Sequence, residues 1–254
     1  MPTDELAHHS NSGQGALKAE LIGILGAANV RDDEVSLKLH SEDVWSAGAK
    51  TAALIAVPQS LDQVSQVMIA AHKAGFEVAP RGAGMSYTSG YLPVTDRTLS
   101  LDLTAMDRIL TISAEDMTVT VEAGCSWAAL HAALSPLGLR TPFWGAMSGL
   151  ISTIGGGISQ NNAMFGSGHY GTSSESVIAL TVVLADGRIL KTGARGIDGD
   201  TPFYRHFGPD LAGLFAGDCG AFGIKAEITL RLIRAPAHED YASFSFKTAT
   251  RLEI

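Results

Sequence analysis

Three consecutive glycines, Gly155-Gly156-Gly157, stand inside a segment that ordinary secondary structure accommodates poorly. Glycine brings no side-chain contacts and loses the most backbone freedom on ordering, so a triplet weakens the interior of a helix or a strand. Around it, residues 135–172 are rich in Gly, Ser and Asn and lack clear periodicity. Such a stretch is uncommon inside a compact domain unless it has a function. It is either a flexible loop or a segment whose missing side chains let the backbone approach a flat ligand. Ile151, Ile154, Ile158 and Phe165 punctuate it, which favours a buried segment.

The flanking sequence carries regular patterns. Residues 1 to about 15 are polar and are expected to be disordered. Residues 16–30 read as a short helix broken by glycines, and 31–50 as polar and irregular. ALIAV (53–57) is an apolar strand stopped by Pro58. Ser60 and Gln63 match a capping box, after which Val64, Val67, Met68 and Ala71 share one helical face until Gly75. FEVA (76–79), TLSLDL (98–103), RILTI (108–112) and TVTVEA (118–123) read as strands, and Ser126 caps the helix WAALHAAL. Asp186-Gly187 predicts a hairpin over 176–190. Ile224, Ala226, Ile228, Leu230 and Leu232 alternate with polar residues, the pattern of a half-buried strand. Strands and helices mix without strict alternation, which predicts an α+β fold rather than a doubly wound sheet.

Length and charge narrow the function. The chain has 254 residues, enough for one large or two modest domains with a buried core. Its formal charge is −8 (18 basic against 26 acidic residues), which gives no general attraction to nucleic acid. The two cysteines, Cys125 and Cys219, form no CxxC or Cys/His cluster, so no metal site is expected. Isolated cysteines suggest reduced thiols, the start lacks a secretory pattern, and no apolar run approaches the ~20 residues of a membrane span. The expectation is a cytoplasmic chain without a transmembrane segment.

Two further glycine-rich segments accompany the triplet. Pro80-Arg81-Gly82-Ala83-Gly84-Met85-Ser86 follows a strand directly. Consecutive N–H groups in such a turn can form an anion-binding nest, and Arg81 and the Ser86 hydroxyl could assist. A surface turn with a solvated arginine reads equally well. It is not a dinucleotide fingerprint, because GxGxxG is absent and no helical pattern follows. Gly217-Asp218-Cys219-Gly220-Ala221-Phe222-Gly223-Ile224, by itself, is a tight turn before a strand. Cys219 reads as a small apolar filler, Trp127 and Trp144 as core residues. His169 and His206 are candidate proton acceptors, each more readily structural or exposed.

The order of four landmarks resembles a known family. ALIAVPQSLDQVSQVM, PRGAGMS, STIGGGISQNN with HYG and VIALTVVLADGRIL, and GLFAGDCGAFGIKAEITLRL together span roughly residues 50–235. They resemble the FAD-linked oxidases that share the flavin domain of vanillyl-alcohol oxidase, D-lactate dehydrogenase, the glycolate oxidase flavin subunit and alkyl-dihydroxyacetonephosphate synthase. The resemblance implies a PCMH-type FAD-binding domain of two α/β subdomains, with the substrate cap absent or only begun. The expected division is a polar tail with a short helical segment (1–46), the FAD-binding domain (47–236) and the start of a truncated cap (237–254), opening on YASFSF.

The same resemblance assigns roles. Arg81, Gly82, Ala83, Gly84, Met85 and Ser86 would cradle the pyrophosphate. Thr153, Ile154, Gly155 and Gly156 would lie against the flavin and its ribityl or phosphate portion. Asn161, Tyr170 and Gly171 occupy matching positions, Pro142 stands where a flavin-adjacent proline is common, and Gly223 with Ile224 would meet the adenine half. Met85 stands where members with covalent flavin often carry His, which implies noncovalent FAD. Cys219 replaces the usual acidic residue of the last motif, with Asp218 beside it. The implied activity is oxidation of a 2-hydroxy acid or alcohol CH–OH group by hydride transfer to flavin N5, with a small-molecule substrate and oxygen, a quinone or a carrier protein as electron acceptor. The alternative is a noncatalytic flavin-binding subunit or fragment that needs a partner subunit or the missing cap. The catalytic base stays unassigned.

Overall fold

Leu17, Leu21 and Leu25 recur every fourth residue and line one face of a helix, α1 (Thr3–Leu25). In the computed structural model, which describes residues 3–143, 149–194, 202, 204–206, 208–240 and 242–245 (side chains from residue 13 onward), this stripe is buried in the main hydrophobic core. The helix thus starts well before the residues expected to form it and replaces most of the expected tail. Burial of three leucines against neighbouring helix and strand outweighs the weak helical propensity of Gly13, Gly15 and Gly23. Gly26, at φ 82, ends it. The segment expected to be irregular contains a second helix, α2 (Glu34–His40), whose N-cap Asp33 accepts from the Ser36 N–H at 2.9 Å.

Two sheets follow. In the first, β1 (Val30–Arg31), β2 (Leu54–Ala56), β3 (Glu77–Arg81) and β4 (Thr98–Asp102) lie in the order β1-β2-β4-β3. β4 is parallel to both β2 and β3, which requires the crossover helix α3 (Leu61–Ala74). The Ser60 hydroxyl accepts from the Gln63 N–H, and the Gln63 side chain reaches back to the Gln59 N–H, one residue earlier than in a strict capping box. Gly75 closes α3 at φ 68.

The second sheet is antiparallel, ordered β5-β6-β10-β8-β9, from β5 (Ile109–Ser113), β6 (Thr118–Glu122), β8 (Val177–Val183), β9 (Ile189–Lys191) and β10 (Ile224–Arg231). A small pair, β7 (Leu139–Arg140) with β11 (Ile233–Arg234), lies apart from it. Gly187 turns the β8–β9 hairpin at φ 84 and packs on α3, where the Ser65 hydroxyl donates to its carbonyl at 2.6 Å. Helix α4 (Trp127–Leu134) is capped by Ser126 as expected, and the Trp127 ring packs edge-on against Phe143 in the core.

Three expectations change. The glycine triplet lies within a short helix, α5 (Ile154–Ser159), capped by the Thr153 hydroxyl. α6 (Ser167–Tyr170) and α7 (Leu211–Phe215) are also brief. Strand β10 is buried on both faces, because it is central in its sheet: Lys225 and Thr229 are buried along with Ile224, Ala226 and Ile228. Residues 242–245 form no strand, while Tyr241, Phe246, the last eight residues and Trp144 lie outside the described residues.

The Leu21 side chain is fully buried under α3. Leu21→Ala is expected to lower the unfolding free energy by about 2–5 kcal/mol, measured by urea denaturation. A loss smaller than about 1 kcal/mol would place α1 outside the cooperative core.

Candidate functional site

The three glycine-rich segments converge on one cleft of about 300 Å³. One wall is the loop after β3, from Pro80 to Thr88 with Tyr91. The second is α5 with its cap, from Ser152 to Gln160, and the turn Asn162–Met164. The third is Cys219, Gly220, Gly223 and Lys225. Leu103 and Ala123 form part of the lining, and Val44 joins it from the segment after α2.

Missing side chains let these walls meet. A Cβ at Gly82 would be driven into the Thr153 hydroxyl, and one at Gly155 would lie 2.7 Å from the Ala123 Cβ. Hydrogen bonds then lock the walls in register. The Ile154 N–H donates to the Cys125 carbonyl at 2.8 Å, and the Cys219 N–H to the Ser159 carbonyl at 2.9 Å. Gln160 touches all three: its carbonyl accepts from the Thr88 hydroxyl at 2.9 Å and its amide lies 3.6 Å from Cys219 Sγ.

The loop after β3 has the makings of an anion nest. Among the described residues, the main-chain N–H groups of Gly82, Ala83, Gly84 and Met85 have no hydrogen-bond partner. Arg81 does not reach outward. Its guanidinium folds beneath the loop, donates to the Leu39 carbonyl at 3.4 Å and lies 5.5 Å from the Tyr91 ring centroid. Gly84, at φ 74, packs directly on it. Burial raises the Tyr91 phenol above its ordinary range, against the opposing pull of the Arg81 charge. Arg81 Nε, Ser152 Oγ and Asn162 Oδ1 are buried without a partner among the described residues, and all three residues line the cleft. Buried polar atoms left unsatisfied in this way suit a ligand that supplies both acceptors and donors.

The loop is braced from behind. His40, at the end of α2, places Nδ1 3.0 Å from the Ser36 carbonyl and Nε2 3.1 Å from Asp102 Oδ2. Asp102 also accepts from the Thr104 N–H and hydroxyl, and its residue pairs with Arg81 in the sheet register. Burial alone would raise this carboxyl, but the bonds from His40 and Thr104 more than reverse it, leaving it below its ordinary value.

Most assigned residues come together. Arg81, Gly82, Ala83, Gly84, Met85, Ser86, Thr153, Gly155, Gly156 and Gly223 line the cleft. Ile154 and Ile224 point into the hydrophobic core instead. The Asn161 amide carbonyl accepts from the Ser174 N–H. Pro142 is buried with its carbonyl against Gly166. Tyr170 ends α6, its carbonyl 3.4 Å from Arg231 Nη2, and Gly171 follows at φ 83. None of these six is in the lining. His169 and His206 are exposed and also stand outside it. Cys219 is not a core filler: it is half-buried, at φ 53, in the cleft wall. Gln160, Tyr91, Asn162 and Lys225 carry no assignment from sequence, although Gln160 and Asn162 belong to the quoted QNN motif. No cluster of potential metal ligands occurs among the described residues.

A family model described as an FAD binding domain matches residues 52–193. The chain belongs to this family. Glycolate oxidase subunit GlcD of Bacillus subtilis (strain 168) is 31% identical over 220 residues, covering 87% of this chain and 45% of the relative. D-lactate dehydrogenase (cytochrome) 1, mitochondrial, of Saccharomyces cerevisiae is 30% identical over 226 residues, covering 87% and 37%. Among solved structures, p-cresol methylhydroxylase with substrate bound superposes with a TM-score of 0.79 at 20% identity, over 89% of this chain and 44% of that one. Alkyldihydroxyacetonephosphate synthase gives 0.77 at 19%, over 88% and 41%. The fold is therefore the PCMH-type FAD-binding fold, and the chain spans less than half the length of each of these proteins. No described helix is long and apolar enough to cross a membrane.

The FAD-binding domain offers two direct tests. Gly82→Val should separate the loop from α5 and weaken FAD binding by roughly tenfold or more, the size of one lost charge-assisted contact. Flavin fluorescence titration reads this, and an unchanged affinity would show that the loop does not hold the cofactor. The second test is acid stability. A free aspartate titrates near ~3.9. Because Asp102 titrates lower when folded, its stabilisation is complete above that value and disappears as the pH falls through the folded one. Asp102→Asn is expected to cost roughly 1–3 kcal/mol at neutral pH and to flatten the acid decline. Equal acid slopes for both proteins in urea denaturation would refute the bracing role.

Proposed function

We propose that this chain is the cofactor-holding half of an FAD-dependent oxidoreductase acting on the CH–OH group of a 2-hydroxy acid or alcohol. The observation that carries this reading is the row of four unpartnered N–H groups, Gly82 to Met85, in a loop that lines a cleft with three unsatisfied buried polar atoms. FAD, when bound, supplies the two-electron acceptor that takes hydride from the substrate carbon. The nest holds the diphosphate by its N–H dipoles, and Arg81 adds positive charge from beneath the loop. The glycines of α5 give a flat ring system access to the backbone, and Ser152 and Asn162 present polar atoms to it. A thioether at Met85 forms no histidyl link, so binding is noncovalent. Two unpaired cysteines suit a reducing compartment, in keeping with a cytoplasmic location.

The substrate class follows from relatives named for glycolate, D-lactate and D-2-hydroxyglutarate. The electron acceptor would be oxygen, a quinone or a carrier protein. A second reading has its own support. Among the described residues, the titratable groups lining the cleft are Arg81, Tyr87, Tyr91, Cys219 and Lys225, with neither carboxylate nor imidazole. The two commonest kinds of general base for a hydroxyl proton are thus missing from these walls. In this reading the chain retains the cofactor, and a cap or a partner subunit completes the substrate site.

Thiol labelling distinguishes bound from free cleft without turnover. Burial, with Asp107 and Glu122 nearby, pushes the Cys125 thiol up to about 11, so it should stay unmodified at neutral pH. Cys219 should alkylate in the flavin-free chain and be shielded by FAD, as read by mass spectrometry of the modified peptides. Labelling of Cys219 that ignores saturating FAD would argue against occupancy of this cleft. Bleaching of the bound flavin by glycolate or D-lactate would reject the noncatalytic reading.

A further inference from the structure

An acidic chain, of formal charge −8, lines this cleft with two cations and, among the described residues, no carboxylate. One cation, Arg81, is folded beneath its loop. The other is Lys225, on β10 in the third wall. Its side chain is 3% exposed and its Nζ lies 2.6 Å from Asp218 Oδ1, whose side chain is 1% exposed. Asp218 is held by two further donors, the Gly220 N–H at 2.9 Å and the Phe222 N–H at 3.2 Å. This carboxylate is therefore well supplied. The ammonium is not: it carries three N–H donors, and Asp218 is its one hydrogen-bond partner among the described residues. A buried ammonium with spare donors carries a desolvation cost that an added anion relieves. Burial accordingly draws Lys225 below its ordinary range.

The position fits an anion shared with the nest. A Cβ at Gly220 would be driven into the Pro80 ring, so the Asp218 turn packs against the start of the loop that carries the free N–H groups. Lys225 lines the cleft and Asp218 does not. We propose that Lys225 is a second electrostatic anchor for the diphosphate of the dinucleotide, held ready by Asp218, and that it sets the preference for FAD over phosphate-free riboflavin. This rests on the FAD reading above. In it, Asp218 is a positioning residue and Lys225 the one that touches the ligand.

The test uses the 254-residue chain, titrated by fluorescence with FAD and with riboflavin at several salt concentrations. The variants are Lys225→Met, Asp218→Asn and the double variant, which removes both charges without leaving one buried alone; circular dichroism confirms folding. Lys225→Met and the double variant should bind FAD roughly tenfold to a hundredfold more weakly, with a shallower salt dependence, and leave riboflavin unchanged. Asp218→Asn should weaken FAD binding too, but less than Lys225→Met, because the ammonium stays and loses only the carboxylate that positions it. Where riboflavin binds too weakly to titrate, the salt dependence of FAD binding decides. Unchanged FAD affinity in the double variant, parallel loss of FAD and riboflavin, or equal damage from Asp218→Asn and Lys225→Met would overturn the proposal. Failure of the unmodified chain to bind FAD would instead overturn the FAD reading itself.

Discussion

Close approach of glycine backbone to the residues facing it, possible only where a side chain is missing, holds the cleft together. Gly82 faces Thr153, Gly155 faces Ala123, Gly220 faces Pro80, and Gly223 faces Val182. At each contact a single methyl group would clash with the facing residue. Glycine in a helix interior costs about 1 kcal/mol relative to alanine, and α5 carries three in succession. The cost is offset locally by the Thr153 cap and by burial of Ile154 and Ile158, which anchor α5 in the core. The helix is short because little else sustains it. Its instability in isolation and its fit in place have one cause, since a helix with side chains would not reach the sheet.

That compromise explains why the fold was more legible than its details. Strands such as β4 and β6 announce themselves through β-branched and apolar runs, and the Ser60 and Ser126 caps through hydrogen bonds only a few residues long. These are local signals. α1 is different. Its leucine stripe is narrow and its sequence holds three glycines and many polar residues, so only tertiary burial makes it a helix. α2 had a local signal, the Asp33 cap, but a short polar helix is easily taken for an irregular segment. The triplet misleads in the opposite direction, because propensity counts against a helix that packing requires.

The site divides along similar lines. Where a motif consists mainly of backbone, as in Gly82 to Met85, naming the motif names the residues that line the cleft. Where side-chain direction matters, adjacency in sequence is a poor guide. Ile154 and Ile224 sit within their motifs yet turn into the core, while their neighbours Gly155 and Gly223 face the cleft. Lys225 shows the converse. Alternation along β10 makes it look like one of the solvent-facing polar residues, with Glu227 and Arg231. Yet β10 is the middle strand, and its polar face is covered: Thr229 meets Thr120 at 2.9 Å, and Glu227 accepts from Thr181 at 2.8 Å. Strand order is not written in a strand's own periodicity, so a buried lysine there becomes visible only once the sheet is assembled.

The electrostatic layout also separates two tasks that a whole oxidoreductase must combine. Holding an anionic dinucleotide calls for N–H dipoles and cations, and the cleft has unpartnered N–H groups at Gly82 to Met85 and two cations, Arg81 and Lys225. Abstracting a hydroxyl proton calls for a base, and the described walls hold neither carboxylate nor imidazole. A carboxylate placed among Arg81, Lys225 and the nest would be drawn into ion pairs, its pKa lowered and its basicity lost. It would also repel the diphosphate. The two environments are incompatible at close range. A carboxylate acting as a base on substrate would have to stand off from a wall that holds these cations.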